Sequence, residues 1–556
     1  MITTIIIMKN SSILFFLFVT FTVTVYAQKP TSYLGNWEGK ISSSNAFDFT
    51  VELTNFDSDK PTFTVSNDQR IFSHSFTQKK NELISFRVNE SLSFQGQLTE
   101  KGKAITGFVQ SGILQYHVTL QKSGSDSFSG NWNVFMVDEL KSSDLYLSIE
   151  GEVDDYQIYP ILGDNRFTGT WGANYQQENE TVAFSDFKTG LNFKAKLLPN
   201  AIRLNIYLGG GLVEEIDFKK SETDWIISGF TNEKSSKNNL QLNEMESLIA
   251  DKTFVNTHAI LISKKGKTVY EKYFDGYNAN IPHDTRSASK SVSSAVVGIV
   301  KDEGLFQSVD QSIFDLIPDA LQNYKTDKNV LIDIKSLLTM SSGLDANDSQ
   351  RESAAAENNY QNSQNWLKTV MEASMVNEPN AHANYGSANP YLLGVAINSI
   401  TEEPLALFMD EKLFQPLGIS NYIIQNDDVK RPYFGGGMYL TPQDMLKFGE
   451  LYLNNGKYNG KQIISEAWVR ASFINYRNLE NVNDRNGYGY LWWHMEYTVN
   501  GRTIKSIEAR GNGGQYIFVI PELQIVVAIT SGNYQSSKSQ QPETIFGQYI
   551  LPALMK

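Results

Sequence analysis

The sequence predicts a multidomain protein: an all-β N-terminal region, forming one β domain or a tandem pair of barrel-like units, followed by an α+β domain with an antiparallel sheet. Two patterns predict this division. Apolar and polar residues alternate with period two from Tyr33 to about Lys219, whereas from Leu242 onwards strand patterns enclose a helical middle. The length of 556 residues suits two to four domains of roughly 100 to 200 residues each.

The first segment, residues 1–27, has the pattern of a secretory signal peptide. Lys9 precedes the apolar run from Ile13 to Val25, and Val25-Tyr26-Ala27 offers small residues at the two positions that a signal peptidase reads. A membrane anchor is the alternative, but the run is shorter than the roughly 18 to 20 residues of a spanning helix. We therefore expect cleavage after Ala27, a mature chain without a transmembrane helix, and a periplasmic or secreted location.

Composition excludes several classes of function. There is no cysteine, so a disulfide framework, a cysteine nucleophile and a thiolate metal site are all excluded. The formal net charge of -13 disfavours nucleic acid and anionic lipid surfaces as partners. The six histidines do not show metal-ligand spacing with acidic residues, so we expect neither a metal nor a cofactor.

The β region contains an internal sequence repeat, which predicts two units at residues 28–125 and 126–230. Gly35-Asn36-Trp37 recurs as Gly130-Asn131-Trp132, and Phe94-Gln95-Gly96 is echoed by Phe167-Thr168-Gly169. A tryptophan on such a strand is more often core than a ligand contact, and ligand binding is the alternative. A polar stretch at residues 231–241 has the composition of a linker.

Strand patterns occur at both ends of the second half, residues 242–556. Two apolar runs, Ala259–Ile262 and Thr268–Tyr270, flank a Lys-Lys-Gly-Lys turn and predict a hairpin. The segment Ile517–Thr530 predicts two late strands. Early and late strands around a helical body indicate an antiparallel α+β fold.

One motif in this half carries chemistry. Ser287 and Lys290 lie where an apolar helical pattern begins, and residues three apart share a helix face. A serine hydroxyl needs such a neighbouring base, and a buried lysine serves if its pKa is lowered. The backbone amides at a helix start can stabilise an oxyanion. Ser185 and Lys188 have the same spacing, but within a β segment where nothing suggests catalysis.

The second half, with these residues, resembles the serine β-lactamase and penicillin-binding protein superfamily, most closely its class C and esterase-like branch. The resemblance rests on Ser287 with Lys290, and on Tyr385-Gly386-Ser387 as the second motif. Three further stretches are similar: Leu337–Leu344, Gly435–Pro442 and Gly487–Trp493. The resemblance implies that Tyr385 shares proton transfer with Lys290, as a phenol whose pKa the ammonium lowers, and that Ser387 hydrogen-bonds substrate or Lys290.

The third motif departs from the Lys-Thr-Gly or His-x-Gly that the superfamily usually has. Here it is Ala509-Arg510-Gly511, so the side chain that helps hold a β-lactam carboxylate is missing. Arg510 is a candidate substrate-binding cation or a solvent-facing residue. Gly511 permits close backbone approach, and by analogy the Asn512 amide completes an oxyanion hole with that of Ser287. His494 is a candidate pocket residue or a structural histidine.

These patterns predict an exported serine hydrolase that forms an acyl-enzyme at Ser287 and hydrolyses an ester or small amide. Its expected partner is a small-molecule ester, amide or peptide-like substrate. One alternative is a β-lactamase or D-amino-acid peptidase acting on cell-wall-type substrates. The other is a non-catalytic ligand-binding or sensor protein on the same fold, which the altered third motif motivates.

Overall fold

The structure is a computed structural model that describes residues 33–41, 47–67, 70–75, 79–80, 83–88, 92–99, 102–134, 144–152, 155–162, 172–221, 239–317, 319–482 and 487–555. Residues 34–556 form one compact unit. The predicted signal peptide, the echo at residues 167–169 and most of the predicted linker lie outside the described residues.

The N-terminal region is all-β where it is described, which confirms that prediction. Alternate residues of its strands are buried, as in β16 (Ala201–Leu208), because one face of each strand packs on a core. The other strands are β1 (Gly35–Lys40), β2 (Asp48–Thr54), β3 (Thr62–Asn67), β4 (Arg70–Ser75), β5 (Lys79–Lys80), β6 (Leu83–Arg87), β7 (Leu92–Leu98), β8 (Ala104–Ser111), β9 (Leu114–Lys122), β10 (Ser127–Asn133), β11 (Asp144–Glu152), β12 (Asp155–Leu162), β13 (Gly172–Glu178), β14 (Thr181–Asp186), β15 (Asn192–Leu198) and β17 (Gly211–Lys220).

These strands form two antiparallel sheets that do not divide at residue 125, where the repeat predicted a boundary. One sheet has the order β4-β3-β2-β10-β9-β8-β7-β6-β5, and the other has the order β12-β11-β1-β17-β16-β15-β14-β13. The second is nearly closed, since its end strands β12 and β13 are in contact. Strand β1 therefore belongs with the later strands and β10 with the earlier ones. Trp37 and Trp132 of the repeated motif are both buried in strands flanked on both sides.

The C-terminal region contains the remaining elements. Its strands are β18 (Thr257–Lys264), β19 (Lys267–Tyr273), β20 (His283–Asp284), β21 (Ile423–Gln425), β22 (Tyr439–Leu440), β23 (Lys457–Tyr458), β24 (Lys461–Gln462), β25 (Arg477–Asn478), β26 (Gly487–Tyr488), β27 (Trp493–Val499), β28 (Arg502–Gly511), β29 (Gln515–Ile520) and β30 (Ile525–Ser531). Its helices are α1 (Leu240–Ala250), α2 (Ser289–Asp302), α3 (Ile334–Leu338), α4 (Glu357–Gln361), α5 (Trp366–Met371), α6 (Ala388–Ile400), α7 (Leu405–Met409), α8 (Gln415–Leu417), α9 (Pro442–Leu453), α10 (Glu466–Ser472), α11 (Gln541–Ile545) and α12 (Leu551–Leu554).

The main C-terminal sheet is antiparallel, with the order β19-β18-β30-β29-β28-β27-β26-β25, which confirms the α+β prediction. The predicted hairpin is β18 and β19, and its turn residues Lys265 and Gly266 both have positive φ, as a two-residue primed turn requires. Neighbouring strand residues face opposite layers: Leu261 belongs to the buried cluster that contains residues of α2 and α6, whereas Ile260 belongs to the cluster that contains residues of α1 and α12. The sheet is therefore buried on both faces.

A shared sheet joins the two regions. Strand β21 pairs with β9 of the N-terminal region, β22 pairs with β21, and β20 pairs with β22. Strand β20 ends at Asp284, three residues before Ser287. Hydrogen-bonded strands therefore run from the N-terminal sheet to the segment that leads into the predicted nucleophile.

In the described part of the chain, no single helix is long and apolar enough to cross a membrane. One pair, Ala388–Ile400 with Leu405–Leu417, has that length and apolar character only when its two helices are taken together, and they are bent by 96°.

Candidate active site

Ser287 lies on a short turn between a strand and a helix. Strand β20 ends at Asp284, a single 3-10 turn covers Arg286–Ala288, and α2 begins at Ser289. Lys290 is buried in the first turn of α2, and its Nζ donates a hydrogen bond to Ser287 Oγ over 2.9 Å. A spacing of three residues puts both side chains on one face of this turn. The local fold thus sets a hydroxyl beside an amine.

Tyr385 joins this pair from the loop that precedes α6. The Lys290 Nζ lies 5.2 Å from the centre of the Tyr385 ring, and both Lys290 and Ser287 act on the pKa of its phenol. The ring is held by Trp493, stacked at 5.2 Å between centroids, and by Tyr488, edge-on at 6.3 Å. The three residues that the sequence proposed as catalytic therefore share one cluster, although about 100 residues separate Tyr385 from the other two.

The charge state of the cluster differs from the expected one. Burial lowers the pKa of Lys290, but the neighbouring Tyr385, Glu357 and Asp348 outweigh it, so that the pKa lies above its ordinary value. Burial also raises the pKa of Tyr385, against the opposing effects of Lys290 and Ser287. The expectation of an uncharged amine beside a phenol of lowered pKa is therefore wrong for the resting site, where an ammonium faces a neutral phenol.

The half-buried Asp348 supplies part of the negative charge around Lys290. Its Oδ2 accepts hydrogen bonds from the backbone N of Ser387 at 2.8 Å and from Ser387 Oγ at 2.7 Å, and its Oδ1 accepts one from Glu357 N at 2.8 Å. Burial and the nearby Glu357 raise the pKa of Asp348 to about 6. Ser387 is fully buried and donates to Asp348, which corrects its expected hydrogen bond to substrate or Lys290.

Close backbone contacts surround the turn that carries Ser287. A Cβ added at Gly511 would lie 2.0 Å from Thr285 O and 3.2 Å from Ala288 N, so the end of β28 rests directly on this turn. Gly436, whose φ is 151°, approaches from another side, and its added Cβ would lie 3.5 Å from Ser287 N. Asn512 follows Gly511, and its side-chain Oδ1 accepts a hydrogen bond from Gln535 N at 2.9 Å. Glycine is required at the β28 contact because any side chain would displace the turn.

Residues 245–546, more than half of the 556-residue chain, match the family model described as Beta-lactamase. The chain belongs to the beta-lactamase family. The 6-aminohexanoate-dimer hydrolase of Paenarthrobacter ureafaciens is 22% identical over 297 residues, covering 49% of this chain and 71% of that protein. Beta-lactamase-like protein 4 of Dictyostelium discoideum is 23% identical over 289 residues, covering 44% of this chain and 49%, about half, of its relative. A penicillin-binding protein homologue from Caulobacter crescentus is 12% identical, with a TM-score of 0.46, covering 56% of this chain and 96% of that structure.

Within this beta-lactamase-family fold, the third motif has no cation at its first position. Ala509 is fully buried against the helical body. Arg510 faces the other side of the sheet, where its guanidinium lies 2.7 Å from a Glu508 carboxylate oxygen and 3.3 Å from one of Glu543, and 5.2 Å from the centre of the Trp493 ring. Arg510 is neither a solvent-facing residue nor an uncompensated substrate cation, because two carboxylates balance its charge.

His494, the other candidate pocket residue, packs near Gly489. Its Nε2 lies 3.2 Å from where a Cβ on Gly489 would be, and burial lowers its pKa to about 4. Its chain neighbour Trp493 contacts Tyr385 instead. His494 is therefore partly buried with a lowered pKa, and its role as a pocket residue or a structural histidine stays a prediction.

Several residues around Ser287 were missed by the sequence analysis of this beta-lactamase-family chain. Asp348 and Glu357 carry no motif, and only their proximity in the fold reveals them. Trp493 ends the stretch Gly487–Trp493 that resembles the superfamily, and this resemblance was the available signal. Lys188 was noticed only as an accidental Ser-x-x-Lys match, yet its Nζ lies 2.7 Å from Asp284.

Proposed function

We propose that this protein is a serine hydrolase that forms an acyl-enzyme at Ser287 and hydrolyses an ester or small amide. One observation supports this most strongly: the Ser287 Oγ lies 2.9 Å from the buried Lys290 Nζ, which in turn lies 5.2 Å from the centre of the Tyr385 ring. A nucleophile within reach of a base that a third group orients is the arrangement that covalent catalysis needs. Membership of the beta-lactamase family is consistent with this chemistry.

The reactive form has lost one proton from the pair of Lys290 and Tyr385. Ser287 Oγ attacks the carbonyl carbon while its proton passes to this pair, giving a tetrahedral intermediate whose oxyanion accepts hydrogen bonds from the backbone amides of Ser287 and Asn512. The pair then returns the proton to the leaving alcohol or amine, and the acyl-enzyme remains. Water repeats the sequence and releases the acid, which restores Ser287.

The surroundings of the third motif support an uncharged ester or small amide as substrate over a β-lactam. Ala509 offers no cation, and the guanidinium of Arg510 is compensated by Glu508 and Glu543. A carboxylate brought beside Ser287 would also face Asp348 and Glu357, which repel it. The similar protein from Paenarthrobacter ureafaciens is named a 6-aminohexanoate-dimer hydrolase, a hydrolase of a substrate other than a β-lactam, which supports this choice.

Export is part of the same proposal. The segment from Lys9 to Ala27 has the charge, apolar core and small residues of a cleavable signal, and a chain with no cysteine needs no particular redox compartment. N-terminal sequencing of the protein recovered from the outside of the cytoplasmic membrane tests it. A mature N-terminus at Gln28 supports export, and an intact Met1 in the cytoplasm contradicts it.

Mass spectrometry of the intact protein tests the nucleophile and the substrate together. A fluorophosphonate probe should add one mass increment to the native chain and none to Ser287→Ala. The matched control is Ser185→Ala, since Ser185 has the same spacing to a lysine but donates to the Ala173 carbonyl in the β region. Parallel incubation with a short-chain ester, a D-amino-acid amide and penicillin ranks the substrates, with the ester expected to turn over fastest. Undiminished ester hydrolysis by Ser287→Ala would be incompatible with the proposal, and absence of any adduct at all would favour a binding protein.

A further inference from the structure

A lysine from the N-terminal β region is buried beside the segment that leads to Ser287. Lys188 stands on the turn between β14 and β15, and its Nζ lies 2.7 Å from Asp284 Oδ2. The exposed fraction of the side chain is 2% for Lys188 and 0% for Asp284. The Nζ also lies 4.9 Å from the centre of the Tyr439 ring. A charge pair so completely removed from water requires close, well-ordered contacts.

The turn that carries Lys188 is held firmly at its base. Asp186 accepts hydrogen bonds from Lys188 N at 3.2 Å, from Thr189 N at 3.2 Å and from Thr189 Oγ1 at 2.6 Å. Ser111 Oγ donates to Thr189 O at 2.6 Å, and Ile113 N donates to Lys188 O at 3.1 Å. These contacts join the turn to both N-terminal sheets, so the backbone that carries Lys188 is held in place.

Asp284, in turn, holds the residue that precedes the nucleophile. Its Oδ1 accepts a hydrogen bond from Arg286 N at 3.1 Å, and its Oδ2 lies 3.2 Å from Arg286 Nε. Arg286 has a φ of 47°, in the left-handed region that residues with a side chain rarely adopt. Such a backbone persists only when its surroundings hold it, and Ser287 is the next residue along the chain.

The charges of this cluster depend on one another. Burial opposes ionisation of Asp284, yet Arg286 and Lys188 hold its pKa at about 2. Burial lowers the pKa of Lys188, and the Asp284 carboxylate opposes that effect. Removing the Lys188 ammonium therefore leaves a buried carboxylate with one cation fewer beside it.

We propose that Lys188 is a positioning residue for the nucleophile: its ammonium fixes the Asp284 carboxylate, which fixes the Arg286 backbone and so aims Ser287 at Lys290. The N-terminal β region is then required for the rate of acylation and not only for stability. This inference rests on the proposed acylation at Ser287, and it assigns to the β region a role in that step.

The test compares full-length Lys188→Met with the native chain. Phosphonylation of Ser287 by the fluorophosphonate, in which the hydroxyl oxygen bonds to phosphorus and fluoride leaves, measures the acylation step and is followed by intact mass. The kcat and KM are measured on a short-chain ester. We expect the acylation rate and kcat to fall at least tenfold while KM changes by less than about threefold, because the substrate contacts remain. Should Lys188→Met fail to fold, Asp284→Asn serves as the second variant, since its carboxamide keeps the size of the side chain, and the same split between kcat and KM is expected.

Thr106→Val is the matched control for disturbing the contact between the two regions. Thr106 Oγ1 donates to the buried Asp410 Oδ2 at 3.0 Å, in a separate polar cluster between the same regions that includes His117. This variant should acylate within about twofold of the native rate. Acylation of Lys188→Met at the native rate, or an equal fall in the acylation rate of Thr106→Val, would overturn this inference and leave the proposed function standing. Absence of label on the native chain would overturn the proposed function and the inference with it.

Discussion

Gly511→Ala probes the contact between β28 and the turn that carries Ser287. The new Cβ would lie 2.0 Å from Thr285 O, whereas ordinary contact begins near 3.4 Å, so the strand and the turn must separate by about 1.4 Å. A misplacement of about 1 Å at a reacting centre can cost about 100-fold in rate, which corresponds to about 2.7 kcal/mol of transition-state stabilisation. We therefore expect acylation of Ser287, measured as its phosphonylation by a fluorophosphonate, to slow about 100-fold.

The assay needs to separate this effect from a general loss of stability. Overpacking of this kind costs about 1 to 3 kcal/mol of folding free energy, so the thermal midpoint should also fall. Gly107→Ala is the matched control, because its Cβ would lie 2.2 Å from the Gln95 carbonyl within the N-terminal sheet, well away from Ser287 in sequence. It should lose stability but acylate at nearly the native rate. A folded Gly511→Ala protein that acylates within about threefold of the native rate would refute the reasoning.

Three further predictions concern the titrating groups. Tyr385→Phe should slow acylation about 100-fold or more, as loss of a proton-transfer group typically does, with little change in the thermal midpoint. Because the pKa of Lys290 is raised, the acylation rate of the native protein should increase with pH through the neutral and mildly alkaline range. Asp348→Asn removes a negative charge near Lys290 and should move this rise to lower pH, which a pH-rate profile measures. The pKa of Asp284 in the folded protein is about 2, against an ordinary value of 3.8. Its contribution to the free energy of unfolding is therefore complete above about pH 4 and is lost as the pH falls towards 2. Asp284→Asn should remove about 2 kcal/mol of this pH dependence, measured by urea unfolding. A flat profile in the second case, or an unchanged acid dependence in the third, would contradict the assigned charges.

The Ser287 and Lys290 pair could be predicted because it depends only on local geometry. Three residues of helix fix the distance between the two side chains wherever the helix lies in the fold. Tyr385 could be predicted only through the family resemblance, since no periodicity connects it to a serine 98 residues earlier. The order of strands was beyond reach for the same reason: alternation identifies β1 and β10 as strands but does not select their partners.

The electrostatics could not be predicted from the catalytic motifs alone. A buried lysine considered by itself has a lowered pKa, and only the fold brings near it the carboxylates of Asp348, from a loop, and of Glu357, from the start of α4. The sequence contains no indication of a role for Lys188. Its Ser-x-x-Lys match is accidental, whereas the fold places its ammonium 2.7 Å from Asp284. Contacts between residues 96 apart follow from tertiary structure, which a single sequence does not display.

The strand order has a consequence for how the chain assembles during synthesis. Strand β1 ends at Lys40, but its neighbours β11 and β17 are completed only at Glu152 and Lys220. At a synthesis rate of about 5 to 20 residues per second, β1 lacks its partner β17 for roughly 10 to 40 s after β1 itself has been synthesised. The strands between β2 and β10 can pair with one another in that interval. We therefore expect a released chain that ends near residue 140 to protect the earlier sheet from proteolysis while β1 is still cleaved.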